Sequence, residues 1–286
     1  MCITILTRKV ITMKAKYKSI VTLAVCLLYP VCALSDYVFT APPRENEKRA
    51  MEMYTPIADY LTQATGETFI YRYPDSWTEY SRGIQSNEYD LAFDGPHFVS
   101  WRIKHMNHDA VAKLPQLHIW RVIVRNDNDD IQSLDDLIGK KVCAPKSPNF
   151  GMLTMMSHYP NPAREPIHVI TKGWKDGYTA VVKGKCVATV LPKTNHKKFD
   201  PESTNTIAIH THLPYPNQAF TAGPNLSPEM KEKVIDSLLS DDGQMALLKL
   251  RERFTRGNKL VSVDNEEYEG ISMVLKRAGN FLSAGK

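Results

Sequence analysis

After residue 36 the apolar positions switch repeatedly between two spacings: short unbroken runs, and stripes that recur every third or fourth residue. The run at residues 37–40 predicts a strand. Ala50, Met53, Tyr54, Ile57, Ala58 and Leu61 form a stripe that predicts a helix over residues 45–65, broken or kinked at Pro56 and ended by Gly66. Residues 68–73 read as a second strand, and Pro74, Asp75 and Ser76 punctuate and cap a helix running to Gln85. A third strand over residues 90–93 stops at Gly95 and Pro96, and a helix begins near His97. Proline suits a first helical position because its missing N–H has no intrahelical partner there, and glycine lets another group approach the backbone. The free N–H groups of that helix then face the space beyond the strand, where open α/β sheets bind ligands.

A second series follows a long strand pattern at residues 117–125 and a polar turn at 127–130. It comprises a short capped helix at 133–139, strands at 141–145, 167–170 and 186–191, and helices from Asn149 and over 175–183. A strand at 206–210, a proline-rich passage at 213–216 and a strand at 218–222 lead to tail helices at 227–239, 244–254 and 267–282. Such alternation predicts an α/β protein of two lobes, each a mainly parallel sheet flanked by helices, joined by two hinge segments. One lobe takes residues 36–119 and 213–286, the other 120–212. The carboxyl ends of both sets of strands would line the cleft between them.

Charge and cysteines narrow the setting. The formal charge of +5 vanishes once residues 1–35 are set aside, because Arg8, Lys9, Lys14, Lys16 and Lys18 lie there without an acid. What remains is 31 basic against 31 acidic residues, so composition gives no electrostatic case for nucleic acid. Lys14, Lys16 and Lys18 followed by the apolar run 20–31 predict a cleaved signal peptide over residues 1–35, hence an exported, periplasmic protein. Cys26 and Cys32 also offer a lipid anchor, although neither follows a convincing lipobox. The mature chain keeps Cys143 and Cys186, each at the start of a short apolar strand, and in an oxidising compartment a disulfide between them is expected.

The residues at the predicted strand ends supply the candidate site. Arg44 either holds an anionic group through its planar fork or is a solvated charge beside Glu45 and Glu47. Ser76 caps a helix and has a hydroxyl to offer; Trp77, Tyr80 and Trp174 would stack on a ring or cage a quaternary ammonium, or else belong to the core. Asp94 with Gly95 and His97 follows the third strand; Asp94 either caps the helix or, facing the cleft, favours a cationic or hydroxyl-bearing ligand. Ser147, Asn149 and Phe150 follow the first strand of the second lobe, and Tyr215 sits at the return crossover. His105 with His108, and His210 with His212, lack a neighbouring Cys or carboxylate cluster of metal-site spacing. No nucleophile elbow or phosphate-cradling glycine loop is present, so neither catalysis nor a cofactor is expected.

The strand followed by Pro43, Arg44 and Glu45, the run Tyr54 to Leu61 with Gly66, and the run Tyr89 to Pro96 together resemble the substrate-binding proteins of phosphate, phosphite and phosphonate ABC importers. Asp135 to Val142 matches that family's entry into its second lobe, and Pro216 to Thr221 with Leu226 to Glu229 its return crossover and tail helix. The resemblance covers the chain after residue 36. It implies a type II periplasmic binding fold, capture of a small molecule by lobe closure, and delivery to a membrane permease by a monomeric, non-enzymatic receptor. The chain departs from the pattern at three places: the loop 145–151 has one hydroxyl, Ser147; Trp174 follows Gly173 where the family tends to show a histidine; and Leu191-Pro192 replaces an acidic group. Fewer donors and more aromatic surface weaken the case for a small, highly charged phosphonate, and a small anionic or zwitterionic solute is expected rather than plain phosphate. The alternatives are a receptor that feeds a membrane sensor, and an enzyme built on the same fold.

Overall fold

The computed structural model describes residues 36–278 and residue 281. The expected signal peptide lies outside the described residues, as does part of the end of the last expected helix. The strands fall into two five-stranded sheets. The first contains β1 (Tyr37–Thr40), β2 (Phe69–Tyr71), β3 (Leu91–Asp94), β4 (Asp109–Lys113) and β10 (Ala219–Ala222), in the order β2-β1-β3-β10-β4. The second contains β5 (Trp120–Arg125), β6 (Lys141–Pro145), β7 (Ile167–Thr171), β8 (Ala188–Pro192) and β9 (Thr206–Thr211), in the order β7-β6-β8-β5-β9.

Each sheet is mixed rather than mainly parallel. Strands β1, β2 and β3 run parallel, while β10 runs against both β3 and β4. Strands β6, β7 and β8 run parallel, while β5 runs against both β8 and β9. The reversed strands are those that arrive from the other sheet. Entering at the edge where the parallel strands end, β5 and β10 must run away from it. The two crossovers, residues 114–119 and 212–218, lie side by side there: the N–H of His118 donates to the Tyr215 carbonyl (2.8 Å), and that of Tyr215 to the His118 carbonyl (3.0 Å).

Local chemistry fixes the helices on these sheets. In α1 (Glu47–Thr65) the Asn46 side chain accepts from the Arg49 N–H, and Gly66 ends the helix at φ 82°, a left-handed position that glycine takes without penalty. The helix passes through Pro56 unbroken, because Pro56 and Glu52, whose carbonyl loses its partner, are both exposed to water. Its buried stripe packs on Phe39, Leu91, Phe93 and Phe220 with Val234 and Leu238 of α7 (Pro228–Leu239). On the other face lie α2 (Trp77–Gln85) and α3 (Pro96–Met106). Their apolar cluster, with Tyr80, Phe98 and Trp101, continues without a break through Trp120 and Phe150 into Val122 and Val142 of the second sheet, so the two lobes are closed on each other.

Around the second sheet lie α4 (Phe150–Met156), α5 (Trp174–Val182) and α6 (Lys193–Phe199). Strand β4 and helix α6 are elements the sequence pattern does not announce. The expected helix at 133–139 is a single 3-10 turn, Asp135–Leu137, and the one at 244–254 divides into α8 (Asp241–Ala246) and α9 (Leu248–Thr255). In place of the helix expected at 267–282 there are two 3-10 segments, Asn265–Tyr268 and Ile271–Arg277. The latter lies against α3 and α4 together. Its Ser272 N–H donates to Ser100 Oγ (2.9 Å), and Arg277 donates to the Glu165 carboxylate and the Tyr159 carbonyl. Cys143 and Cys186 form a disulfide that ties β6 to the approach to β8, with Cα atoms 5.8 Å apart.

Candidate ligand cleft between the two sheets

The polar centre of the cleft is built from three chain segments. Arg44 leaves the end of β1 through Pro42 and Pro43, and its Nη1 donates to Gln218 Oε1 (2.8 Å) at the start of β10. His97 occupies the first turn of α3 and is 4% exposed. Its Nε2 donates to the Pro148 carbonyl of the opposite lobe (3.2 Å). His118 comes from the crossover that enters β5. The Nδ1 atoms of His97 and His118 are both buried without a hydrogen-bond partner. Burial pushes the His97 imidazole down to about 3, reinforced by the nearby Arg44 charge, and pushes His118 down to about 4, again with Arg44 second. Both rings are therefore neutral, and Arg44 is the formal charge of the cluster.

Gly95 makes this convergence possible by its size. A Cβ there would sit 3.0 Å from His97 Cε1, 3.2 Å from its Nδ1 and 3.4 Å from Arg44 Nη2. The backbone at Gly95 has φ −72°, open to any residue, so space is the constraint.

Aromatic rings close the other side. Phe150 stacks on the His97 imidazole at 4.9 Å with 6° between the planes, and meets Tyr215 edge-on at 4.9 Å and Trp120 edge-on at 6.1 Å. His118 lies 4.7 Å from Trp120, and Trp174 packs edge-on against the far side of Trp120 at 5.1 Å. One cation, two neutral imidazoles with unpartnered nitrogens and a wall of π faces place hydrogen-bonding atoms beside an apolar surface, as small-molecule sites do.

Of the residues singled out from sequence, Arg44, Gly95, His97, Phe150 and Tyr215 meet here, with Trp174 in a second layer. Ser147 and Asn149 flank the Pro148 carbonyl, and Asn149 caps α4 by accepting from the Met152 N–H (3.0 Å). Ser76 is exposed and caps α2, accepting from the Glu79 N–H (3.1 Å). Trp77 stacks on Phe98 at 6.4 Å. Tyr80 and Asp94 are engaged elsewhere: Asp94 accepts from Arg102 Nε (2.7 Å) and from the Tyr80 hydroxyl, all three fully buried. His118, Trp120 and Gln218 are members that sequence reasoning missed. Their signal lies in the crossovers, where a polar residue at the mouth of an incoming strand faces the strand ends.

The histidine pairs noted in the sequence make no metal centre; among the described residues no cluster of three or more His, Cys, Asp or Glu has metal-binding geometry. A separate surface depression of about 450 Å³, lined by Arg125, Asp127, Gly184 and Val187, lies at the opposite end of β5 from the aromatic wall.

Two mixed sheets flanked by helices, joined by paired crossovers and meeting over a polar cleft, define the two-lobed type II periplasmic binding fold. Solved structures share it. XAC2383 from Xanthomonas citri bound to ATP superposes with a TM-score of 0.68 at 12% identity, over 87% of this chain and 100% of that one. PhnD1 from Prochlorococcus marinus in complex with methylphosphonate gives 0.61 at 12% identity, over 86% and 98%. PA3383 from Pseudomonas aeruginosa, a binding protein component of an ABC phosphonate transporter, gives 0.58 at 13% identity, over 88% and 89%. No curated protein sequence matches the chain. The model of the family described as ABC transporter, phosphonate, periplasmic substrate-binding protein matches residues 39–268, and the chain belongs to that family. It is a periplasmic solute-binding receptor for an ABC importer, a binding protein whose family partners are a small-molecule ligand and a permease.

Proposed function

We propose that the cleft captures a small solute through one phosphonate-like oxyanion, held by Arg44 with His97 and His118, its substituent lying against Phe150, Trp120 and Tyr215. The observation that carries this reading is the pair of buried, unpartnered imidazole nitrogens beside a guanidinium at the seam of the lobes. Buried polar atoms without partners are uncommon in folded proteins, and at a closed cleft a ligand is the natural partner. The grip comes mainly from the first lobe and the crossovers, which fits a second-lobe loop carrying only Ser147 as a hydroxyl. One formal positive charge suits a monoanion or a zwitterion better than a dense dianion. The methylphosphonate bound by PhnD1 lies within the same ligand class.

The hinges are the crossovers 114–119 and 212–218. The lobes are residues 36–119 with 213–286, and 120–212; opening would separate His97 from Pro148 and Phe150. The mature chain starts after an export signal ending near residue 35 and acts as a monomer. The test is titration of the mature protein with methylphosphonate, followed by tryptophan fluorescence, to which Trp120 and Trp174 contribute from the cleft. Arg44→Ala is expected to weaken binding by about 100-fold, the loss of a charged hydrogen-bonding group. Binding unchanged in that variant would overturn the assignment.

A further inference from the structure

We propose that His97 makes this receptor selective for oxyanions that carry a proton, so that a hydrogen phosphonate is taken and a sulfonate refused; the inference rests on the reading of the cleft given above. The Pro148 carbonyl can only accept a hydrogen bond, so the Nε2 atom facing it at 3.2 Å carries the proton. A neutral imidazole has one N–H. Nδ1 of His97 is then a lone pair, buried and without a partner.

This acceptor lies next to a donor. Nδ1 of His97 and Nη2 of Arg44 fall within 3.2 and 3.4 Å of the same point beside Gly95, the position its missing Cβ would take. A hydrogen phosphonate satisfies both atoms: a P–O⁻ oxygen accepts from Arg44 while the P–OH donates to Nδ1. A sulfonate has the same charge and shape but three oxygens that only accept. One of them would face the Nδ1 lone pair, leaving two buried acceptors without a proton between them.

A second proton on the ring would rescue the sulfonate, but the surroundings oppose it. The charged and titratable groups that face His97 are Arg44 from the loop after β1 and His118 from the crossover, both of which disfavour an imidazolium. Asp94, on the strand leading into α3, is committed to Arg102 and Tyr80. Phe98, Pro148 and Phe150 bring no charge.

The experiment is calorimetry with methylphosphonate and methanesulfonate at about pH 6, where the phosphonate retains one O–H. Each titration is run in two buffers of different ionisation enthalpy, which counts the protons taken up on binding. The expected result is phosphonate binding without net proton uptake, and sulfonate binding weaker by about 10- to 100-fold, with any residual sulfonate binding drawing a proton onto the ring. His97→Gln, whose amide can turn an N–H toward the ligand, is expected to narrow the ratio to within about threefold. Equal affinities without proton uptake would overturn the proposal, as would phosphonate affinity that rises between about pH 6 and about pH 8, as the O–H is lost. Should His97→Gln fail to fold, the wild-type affinities and proton counts decide the matter alone. Failure of either anion to bind would instead remove the underlying reading of the cleft, and this inference with it.

Discussion

Replacing Asp94 by alanine isolates the one ion pair among the described residues that is wholly withdrawn from water. Its carboxylate and the Arg102 guanidinium are both 0% exposed, with Nε 2.7 Å from Oδ2. Arg102 Nη2 also donates to the Tyr80 hydroxyl (3.3 Å), and its guanidinium lies 5.7 Å from the centre of the Tyr89 ring. Nη1 of Arg102 already has no partner, so the site has no spare acceptor to take over from Asp94. Two unit charges about 4 Å apart at an effective dielectric of about 20 attract by about 4 kcal/mol. Removing one partner strands the other charge, and such losses run to about 3–5 kcal/mol. For a chain of this size that corresponds to a fall of about 10 °C in melting temperature. The assay is thermal and urea unfolding of Asp94→Ala beside the double variant Asp94→Ala/Arg102→Met, which should recover part of the loss because the stranded charge is gone. A loss below about 1 kcal/mol for the single variant would refute the reasoning. So would a ligand affinity that collapses in a variant still folded, because Asp94 would then contact the solute.

Three further outcomes follow from the structure. Reducing the Cys143–Cys186 bridge, which closes a loop of sequence separation 43, should cost about 4 kcal/mol and lower the urea midpoint; an unchanged midpoint with reductant would contradict this. His97, His118 and His212 are pushed by burial to about 3, 4 and 4, below the ordinary 6.5 of an unfolded chain. The unfolded chain therefore binds more protons as pH falls below about 6.5, and the stability present above that value is progressively lost toward about pH 4. A urea midpoint that does not move between about pH 7.5 and about pH 4.5 would disprove it. Gly151→Ala would place a Cβ 2.2 Å from Trp120 Cε3, forcing the indole to move; a stability loss of about 1–3 kcal/mol and a shifted tryptophan emission are expected, and wild-type values for both would refute the packing.

The alternation of strand and helix is legible in the sequence because each strand near a sheet centre is a short apolar run and each helix carries its stripe and caps. Asp109–Lys113 is not legible: with only Val111 and two alanines it becomes a strand by pairing with Ala219–Ala222, more than a hundred residues away. Lys193–Phe199 carries no apolar stripe, and its helix follows from the chain turning back at the end of β8. The two reversed strands are equally hidden, since direction depends on which lobe the chain has just left. Within the cleft, Arg44, Gly95 and His97 can be read from their place just past a strand end. His118, Trp120 and Gln218 cannot, because their neighbours are supplied by crossovers and by the opposite lobe. Tyr80 and Asp94 resemble available site groups until Arg102, two turns along α3 from the strand end, is seen to consume both.

The most direct test is a crystal structure of the mature protein with methylphosphonate. The phosphorus is expected between Arg44 and His97, with the P–OH oxygen on Nδ1 and the methyl group toward Phe150. An anion seated elsewhere, or one lying in the cleft with no contact to either side chain, would contradict it.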